Sequence, residues 1–497
     1  MVTAVWGDWH LRMLFEVNLP TLLAEGNLPA LARNCDITYL LFTQRSDFAR
    51  VSSAPTIRAL RDFMDVRIEI LDDEDLDNPI AAHHKAWNTA VRRAKRDGQM
   101  ILLMPPDVAW SNNAFASVGA HLAQGRKAIF MTYLRAVPDG FVPALLARRD
   151  PAALANSVPP QEMVRLCVEN LHPLMAAYLR SSDHFPYHPE MILWSVPGEG
   201  IAARVLAREM FLFDPTHFAL NEVSLPADPI DPSEVCFLAD SDELFAVSLA
   251  PLGKDVAWHT HPRLPDPVEI GGWWLDYDSP VNDFIAGHKI RWHFAPVTPD
   301  TWHARERGAD LFVRRAAAAR EGIRVWHALR ELGCTRAAPI LALAIHTGSL
   351  IRAVRGRGPT LIFAPTDQVL ARVPVDRMDE LLSPSGAGSL TALIRAHHVP
   401  DFGHSGDGED PLERLLADRE EAELTAASGA TLHLRRDESD LLVNGLRVTG
   451  TPATSGGHAV YRIEGLLADL NMLFETEAKV EQAPESAPMA LAAGLRG

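Results

Sequence analysis

Asp240-Ser241-Asp242-Glu243 follows the apolar run VCFLA and places three carboxylates on one loop. Two aspartates two positions apart offer hard oxygen donors of the kind that hold magnesium or manganese, and a solvated acidic turn has the same composition. Asp107 ends another apolar run, MILLMPPD, but has Val108-Ala109 after it and no second carboxylate at that spacing. Histidines number 20, and several are grouped: His83-His84, His184 with His188, His217, and His259 with His261. No HExxH or comparable triad accompanies them, and His-x-His on a strand brings only two rings to one face, so a zinc centre lacks its third ligand. The GxSxG elbow of serine acyl transfer and the GxGxxG of dinucleotide binding are both absent. Asp242, Glu243 and His217 are the candidates for a general base.

Elements that would position these groups follow from periodicity. Residues 2–6 (VTAVW), 37–43 (ITYLLFT), 66–71 (VRIEIL) and 100–104 (MILLM) are short apolar runs rich in β-branched residues and read as strands. Between them FEVNLPTLLAEGNLPALAR, SSAPTIRALRDFM and NPIAAHHKAWNTAVRRAKRDG have helical spacing, the last closing with basic residues and Gly98. KAIFMTYLRAV supplies a further strand. Such alternation predicts an α/β fold, a mostly parallel sheet flanked by helices, with ligands held beyond the carboxyl ends of the strands.

A chain of 497 residues exceeds one ordinary core. With 47% hydrophobic and 22% charged residues it has the composition of folded globular proteins. Acidic residues outnumber basic ones, 64 to 47, for a net charge of −17, which argues against a nucleic-acid partner. Four scattered cysteines form no CxxC pair and suggest neither a disulfide framework nor a thiolate metal site. The start, MVTAVWGDWHLRMLF, lacks a basic segment followed by an apolar core, and no run is long enough for a membrane span, so the expected location is cytoplasmic. Residues 1–300 read as one domain, 301–335 as a helical connector, 336–472 as a second domain and 473–497 as a mobile tail.

GPTLIFAPTDQVLARVP resembles the first signature of fasciclin domains, a strand running into a Pro-Thr-Asp turn and a short helix that Thr366 or Asp367 can cap. LTALIRAHHVP resembles the second, with His398 as the family histidine and His397 where an aromatic residue is usual. Paired strands around Asn444-Gly445 and the closing HAVYRIEGLL complete the likeness to an α+β fasciclin fold. The resemblance implies an adhesion or interaction module that binds a protein partner, a glycan or a second copy of the chain rather than one that catalyses.

The order of N-terminal elements, above all HHKAWNTAVRRAKRDGQMILLMPPDVAWSNNAF, resembles the GT-A (Rossmann-like) fold of nucleotide-sugar glycosyltransferases. That likeness implies a divalent metal, manganese or magnesium, at Asp107 or at Asp240 and Asp242. It implies nucleotide contacts from Thr43, Asp47, Lys85, Asn88 and Asp107, a sugar-nucleotide donor, and a glycan, lipid or protein acceptor. GGWWLDYDSPVNDFIAGHKIRWHF could line the acceptor pocket, with Asp276 and Asp278 accepting from sugar hydroxyls, although core packing explains the Trp pair equally well. The alternative is a non-catalytic scaffold built from a degenerate transferase fold and a fasciclin domain.

Overall fold

The computed structural model describes residues 1–71, 78–206, 210–217, 232–253, 260–262, 264–277, 279–346, 360–402, 410–437, 440–455 and 458–469. The expected tail, His259 and Asp278 lie outside them. The chain divides into two units, Met1–Asp266 with Asp276–Val313, and Pro267–Leu275 with Arg314–Gly497. Residues 301–331 of the stretch read as a connector belong to a 33-residue helix, Pro299–Glu331, and the division falls within it. No helix among the described residues is long and apolar enough to cross a membrane.

The first unit is built on strands β1 (Val2–Ala4), β2 (Thr38–Gln44), β3 (Asp65–Leu71), β4 (Ile101–Leu102), β5 (Ala128–Phe130), β6 (Met210–Phe213) and β7 (Val235–Phe237). β1, β2 and β3 pair in parallel, and a parallel bridge between Val2 and Leu103 joins β1 to β4. The order is β3-β2-β1-β4-β6-β5-β7, and β6 alone runs against the rest. Both faces are covered: Val2, Ala4, Leu40 and Phe42 point into one core, while Tyr39, Leu41, Leu102 and Met104 point into another. This is why the runs read as continuous apolar strings rather than alternating ones. A buried relay, Tyr39 Oη to Thr3 Oγ1 at 2.8 Å and Thr3 Oγ1 to the Met104 carbonyl at 2.8 Å, ties β2, β1 and the end of β4 together.

Helix α1 (Pro79–Asp97) returns the chain from β3 to β4. Asn78 caps it by accepting from the Ala81 N–H, and Pro79 suits the first turn. Ala82, Ala86, Ala90 and Ala94 make a small-residue face that is buried. Gly98, at φ 64°, adopts the left-handed cap that ends it. Strand order reverses between β1 and β4, since the chain runs outward through β2 and β3 and comes back on the other side of β1. At such a switch point the loops part and leave a crevice beyond the carboxyl ends. β8 (Ile290–His293) lies in a second sheet of this unit, antiparallel to Gly200–Val205.

In the second unit, Arg314–Glu331 of helix α2 (Pro299–Glu331) and helices α3 (Ala337–His346) and α4 (Ala387–Ala396) accompany a seven-stranded sheet. Its strands are β9 (Leu361–Pro365), β10 (His398–Val399), β11 (Glu421–Thr425), β12 (Thr431–Asp437), β13 (Asp440–Val443), β14 (Leu446–Ser455) and β15 (His458–Ile463), ordered β10-β9-β15-β14-β13-β12-β11. Asn444 and Gly445, at φ 49° and 77°, make the tight β13–β14 turn that their types predict. The last strand in sequence among the described residues, β15, sits inside the sheet, parallel to β9 and antiparallel to β14. One expectation is corrected: Thr366 makes no side-chain cap. The Asp367 carboxylate accepts instead from the Thr335 hydroxyl and, at 2.8 Å, from the Arg336 N–H just before α3. Trp274 is buried beneath the Arg320 guanidinium, 4.4 Å from the ring centroid, so this half of the Trp pair is a packing residue of the second unit.

Candidate functional site

Beyond the end of β7 the chain runs alongside β8. The Arg291 N–H donates to the Ala239 carbonyl at 2.8 Å, the Ser241 N–H to the Arg291 carbonyl at 2.9 Å, and the His293 N–H to Ser241 Oγ at 3.1 Å. Ser241 is fully buried and acts as the fastener. Its two neighbours, Asp240 and Asp242, are thereby turned toward the His293 ring. Asp240 is half-exposed and Asp242 exposed, while His293 is only 6% exposed. The Asp242 N–H closes the turn by donating to Asp240 Oδ1 at 3.0 Å.

His293 Nε2 lies 3.5 Å from Asp240 Oδ1 and 3.3 Å from Asp242 Oδ2. Its Nδ1 is 3.1 Å from the Ala295 carbonyl, which makes Nδ1 the donor and orients the ring. Nε2 then faces two carboxylates, either as a second N–H or as a lone pair beside a bound cation. One donor atom from each residue lies within 4.8 Å of the other two. Two ligands of an ion with bonds of about 2.1 Å are about 3.0 Å apart when adjacent and about 4.2 Å apart when opposite, and the 3.5 and 3.3 Å from Nε2 to the two carboxylates fall in that range. Two carboxylates and an imidazole suit manganese better than magnesium, which prefers all-oxygen shells. The Gln161 amide donates to Asp242 Oδ1 and holds that side chain in place.

Glu243 is not drawn into this group: its N–H donates to the Asp240 carbonyl and its carboxylate lies 3.8 Å from His121. His217 closes a short 3-10 turn, Pro215–His217, that lies against α1. Asp107 leaves the sheet at β4, three strand positions from β7, about 14 Å at ordinary spacing. Among the described residues it is not part of the grouping that could hold a metal.

Asp107 sits at the switch point. It is half-buried, and burial raises its pKa above the usual carboxylate range, against the opposing pull of its own backbone N–H and of His10 and Arg135. His10 follows β1, and Arg135 lies in the short strand Leu134–Ala136. His83, on α1, is pushed down to about 4 by burial and by the charges of His84 and His10, and its ring meets Trp87 edge-on at 4.3 Å. Asp47 accepts from the Gly7 N–H at 3.1 Å and from the Gln44 amide at 2.6 Å, and so shapes the loop after β1. Thr43 is fully buried in β2, and its hydroxyl has no partner among the described residues. Lys85 is exposed and Asn88 half-buried on α1.

The residues that sequence reasoning missed are His293, Ser241, His10 and Arg135. His293 stands 52 residues from Ser241, and no local pattern announces that pairing; only the adjacency of β7 and β8 does.

The fasciclin domain family matches residues 338–469, so a fasciclin domain occupies the C-terminal part of the chain, as GPTLIFAPTDQVLARVP and LTALIRAHHVP imply. Protein sll1483 of Synechocystis sp. is 32% identical over 60 residues, which cover 12% of this chain and 33% of that protein, so the chain spans about a third of that relative's length. A solved FAS1 domain pair from the insect cell adhesion molecule fasciclin I is 15% identical, with a TM-score of 0.20 over 27% of this chain and 45% of the other.

Proposed function

We propose that the first unit is a divalent-cation-dependent transferase that moves a sugar from a nucleotide donor, and that the fasciclin domain recruits a protein partner or the acceptor. The observation that carries this reading is the convergence of Asp240, Asp242 and His293 on one point beyond β7. β7 runs parallel to β4 and β1, so that point lies on the same edge of the sheet as the switch-point crevice. Asp240, Asp242 and His293 hold the cation, preferably manganese, and Ser241 and Gln161 keep the two aspartates in place. A bound cation supplies positive charge to a departing diphosphate. At the switch point, Arg135 and His10 offer donors to phosphate or sugar oxygens, and Asp107 accepts from a hydroxyl.

Titrating the full chain with manganese, alone and with uridine, guanosine or cytidine diphosphate, tests it. Micromolar manganese binding that strengthens with one nucleotide, and that is lost in His293→Ala and in the Asp240→Asn, Asp242→Asn pair, is the expected result. Manganese binding without any nucleotide affinity leaves a metal site but removes the transferase. The second reading, a binding scaffold, is favoured by the fasciclin domain itself and by the Gln161 amide already seated on Asp242; it requires affinity for neither ligand.

A further inference from the structure

His397 directly follows α4 and is 6% exposed. Both of its ring nitrogens are engaged: Nδ1 lies 2.7 Å from the Phe363 carbonyl oxygen, and Nε2 lies 3.0 Å from the Leu467 backbone nitrogen. A carbonyl can only accept and a backbone N–H can only donate, so Nδ1 carries the proton and Nε2 is a bare lone pair. The two partners thus fix one neutral tautomer. The His397 carbonyl in turn accepts from the Phe363 N–H at 2.9 Å, which anchors the residue to β9 through backbone and ring alike.

Leu467 lies just past β15, on a segment that closes two cores. Leu466 and Ala468 pack against the core that includes Ala364 and Val460, and Leu467 against the one that includes Phe363 and Tyr461 on the opposite face of the sheet. β15 itself is held by β9 and β14, and just beyond it the Glu464 N–H donates to the Arg447 carbonyl at 3.0 Å. The hold on Leu467 is of another kind, because its acceptor titrates.

Protonation turns that acceptor into a donor. A second ring N–H would then face the Leu467 N–H, and two donors set against each other leave both without a partner. The charged groups of the surrounding elements do not offset the added charge. Arg395 of α4 is turned to the Ala427 carbonyl, and Arg462 of β15 to the Thr449 and Leu332 carbonyls. Glu464 and Asp469, on the held segment, are exposed. Glu321 of α2 is closed on His458 of β15 at 2.6 Å, and His398 of β10 is itself kept neutral by burial. Burial holds His397 neutral in the same way, its pKa pushed down to about 4 against the pull of the Phe363 carbonyl.

We infer that His397 is an acid-operated latch: neutral, it holds residues 464–469 by accepting from the Leu467 N–H, and protonated, it releases them and uncovers both cores while β15 stays paired. The latch is independent of the cation site in the first unit. In the released state His397 regains its ordinary value of 6.5, so between pH 6.5 and 4 that state binds a proton the latched state does not. Release therefore grows as pH falls, about tenfold per pH unit and roughly 300-fold over the whole window.

Hydrogen exchange of the full chain from pH 7.5 to 4, read by mass spectrometry on peptides covering residues 458–463 and 464–469 and corrected for the intrinsic rate, tests this. Protection of 464–469 is constant above pH 6.5 and falls about tenfold per unit below it, while 458–463 keeps its protection. His397→Gln, whose side-chain oxygen accepts from the Leu467 N–H without titrating, removes the pH dependence. His397→Asn, too short to reach Leu467, leaves 464–469 unprotected at every pH. The pH series on the parent chain needs no variant to fold. Any of three results overturns the inference: protection of 464–469 that does not change with pH, a loss in 458–463 in step with it, or the parent's pH slope retained in His397→Gln.

Discussion

Each unit brings carboxylate and imidazole together, and burial decides what the pairing does. In the first unit His293 faces Asp240 and Asp242 at 3.5 and 3.3 Å from a loop whose acids are open to water. In the second, Glu321 and His458 close at 2.6 Å with side chains 25% and 12% exposed, and Arg320 and Arg324 stand beside them. The open set has donors to spare and gains by gathering a cation. The closed set is already neutralised, and its worth is structural. Removing one partner should therefore cost stability in the second unit and ligand affinity in the first.

The largest effect follows from breaking the closed pair. Glu321→Ala leaves His458, Arg320 and Arg324 around a vanished charge, and breaking a buried pair costs about 3–5 kcal/mol, reduced here by its partial exposure. Denaturant melts should show a loss of about 2–3 kcal/mol in the second unit with the first unit unchanged. A fragment beginning at Ile323 lacks Glu321 and should melt below one beginning at Arg314. Equal melting would mean that the pair carries no stability and that the contrast with the first unit is false.

Acid sharpens the comparison. His397 and His398 have folded values near 4 against 6.5 unfolded, so between those pH values the unfolded chain binds more protons. Their contribution is complete above pH 6.5 and is lost as pH falls toward 4, at most about 3 kcal/mol each. Glu321, held near 2, adds a loss between its unfolded value of about 4.5 and 2. Stability of the second unit should therefore fall continuously from pH 6.5, and His397→Asn should flatten the upper part of that slope. A slope unchanged in His397→Asn would place the titration elsewhere.

Those two histidines also show what could be read in the chain. The strand-helix alternation before Gly98, the Asn444-Gly445 turn and the fasciclin signatures were legible because each is local: side-chain period, backbone sign and turn chemistry lie within a few residues. Asp240 and Asp242 were legible as donors for the same reason. His293, Glu321 and the depth at which His398 lies were not, since each depends on which strands and helices become neighbours over long separations. Asp367 was read as a cap for its own helix and instead holds the start of α3, a contact with a residue 31 positions away.

Manganese is the next test of the open set. At a hundred times its dissociation constant it should stabilise the first unit by about 2.7 kcal/mol and leave the second unmoved. His293→Ala removes a ligand and should abolish micromolar binding, a larger loss than the roughly 10–100-fold expected for a residue that only supports a ligand. Ser241→Ala, which touches no ion but loses the hydrogen bond to the His293 N–H, should cost about tenfold through misplacement of the two aspartates. If Ser241→Ala binds manganese like the parent chain, the fastening of β7 to β8 does not govern the site.

The smallest expected effect belongs to Asp107, and for that reason it discriminates best between the two places on the sheet edge where an ion could sit. Burial raises the Asp107 pKa, so the folded state disfavours its charge, and at neutral pH this carboxylate opposes folding rather than supporting it. Asp107→Asn keeps the shape, removes the charge and should leave melting unchanged or raise it by less than about 1 kcal/mol. Manganese affinity should be the same within twofold, because Asp107 leaves the sheet three strand positions from Asp240. Nucleotide affinity should change, since the proposed nucleotide site is at the switch point. Loss of manganese binding in Asp107→Asn together with unaltered binding in Asp240→Asn would reverse the assignment and move the ion to the crevice between β1 and β4.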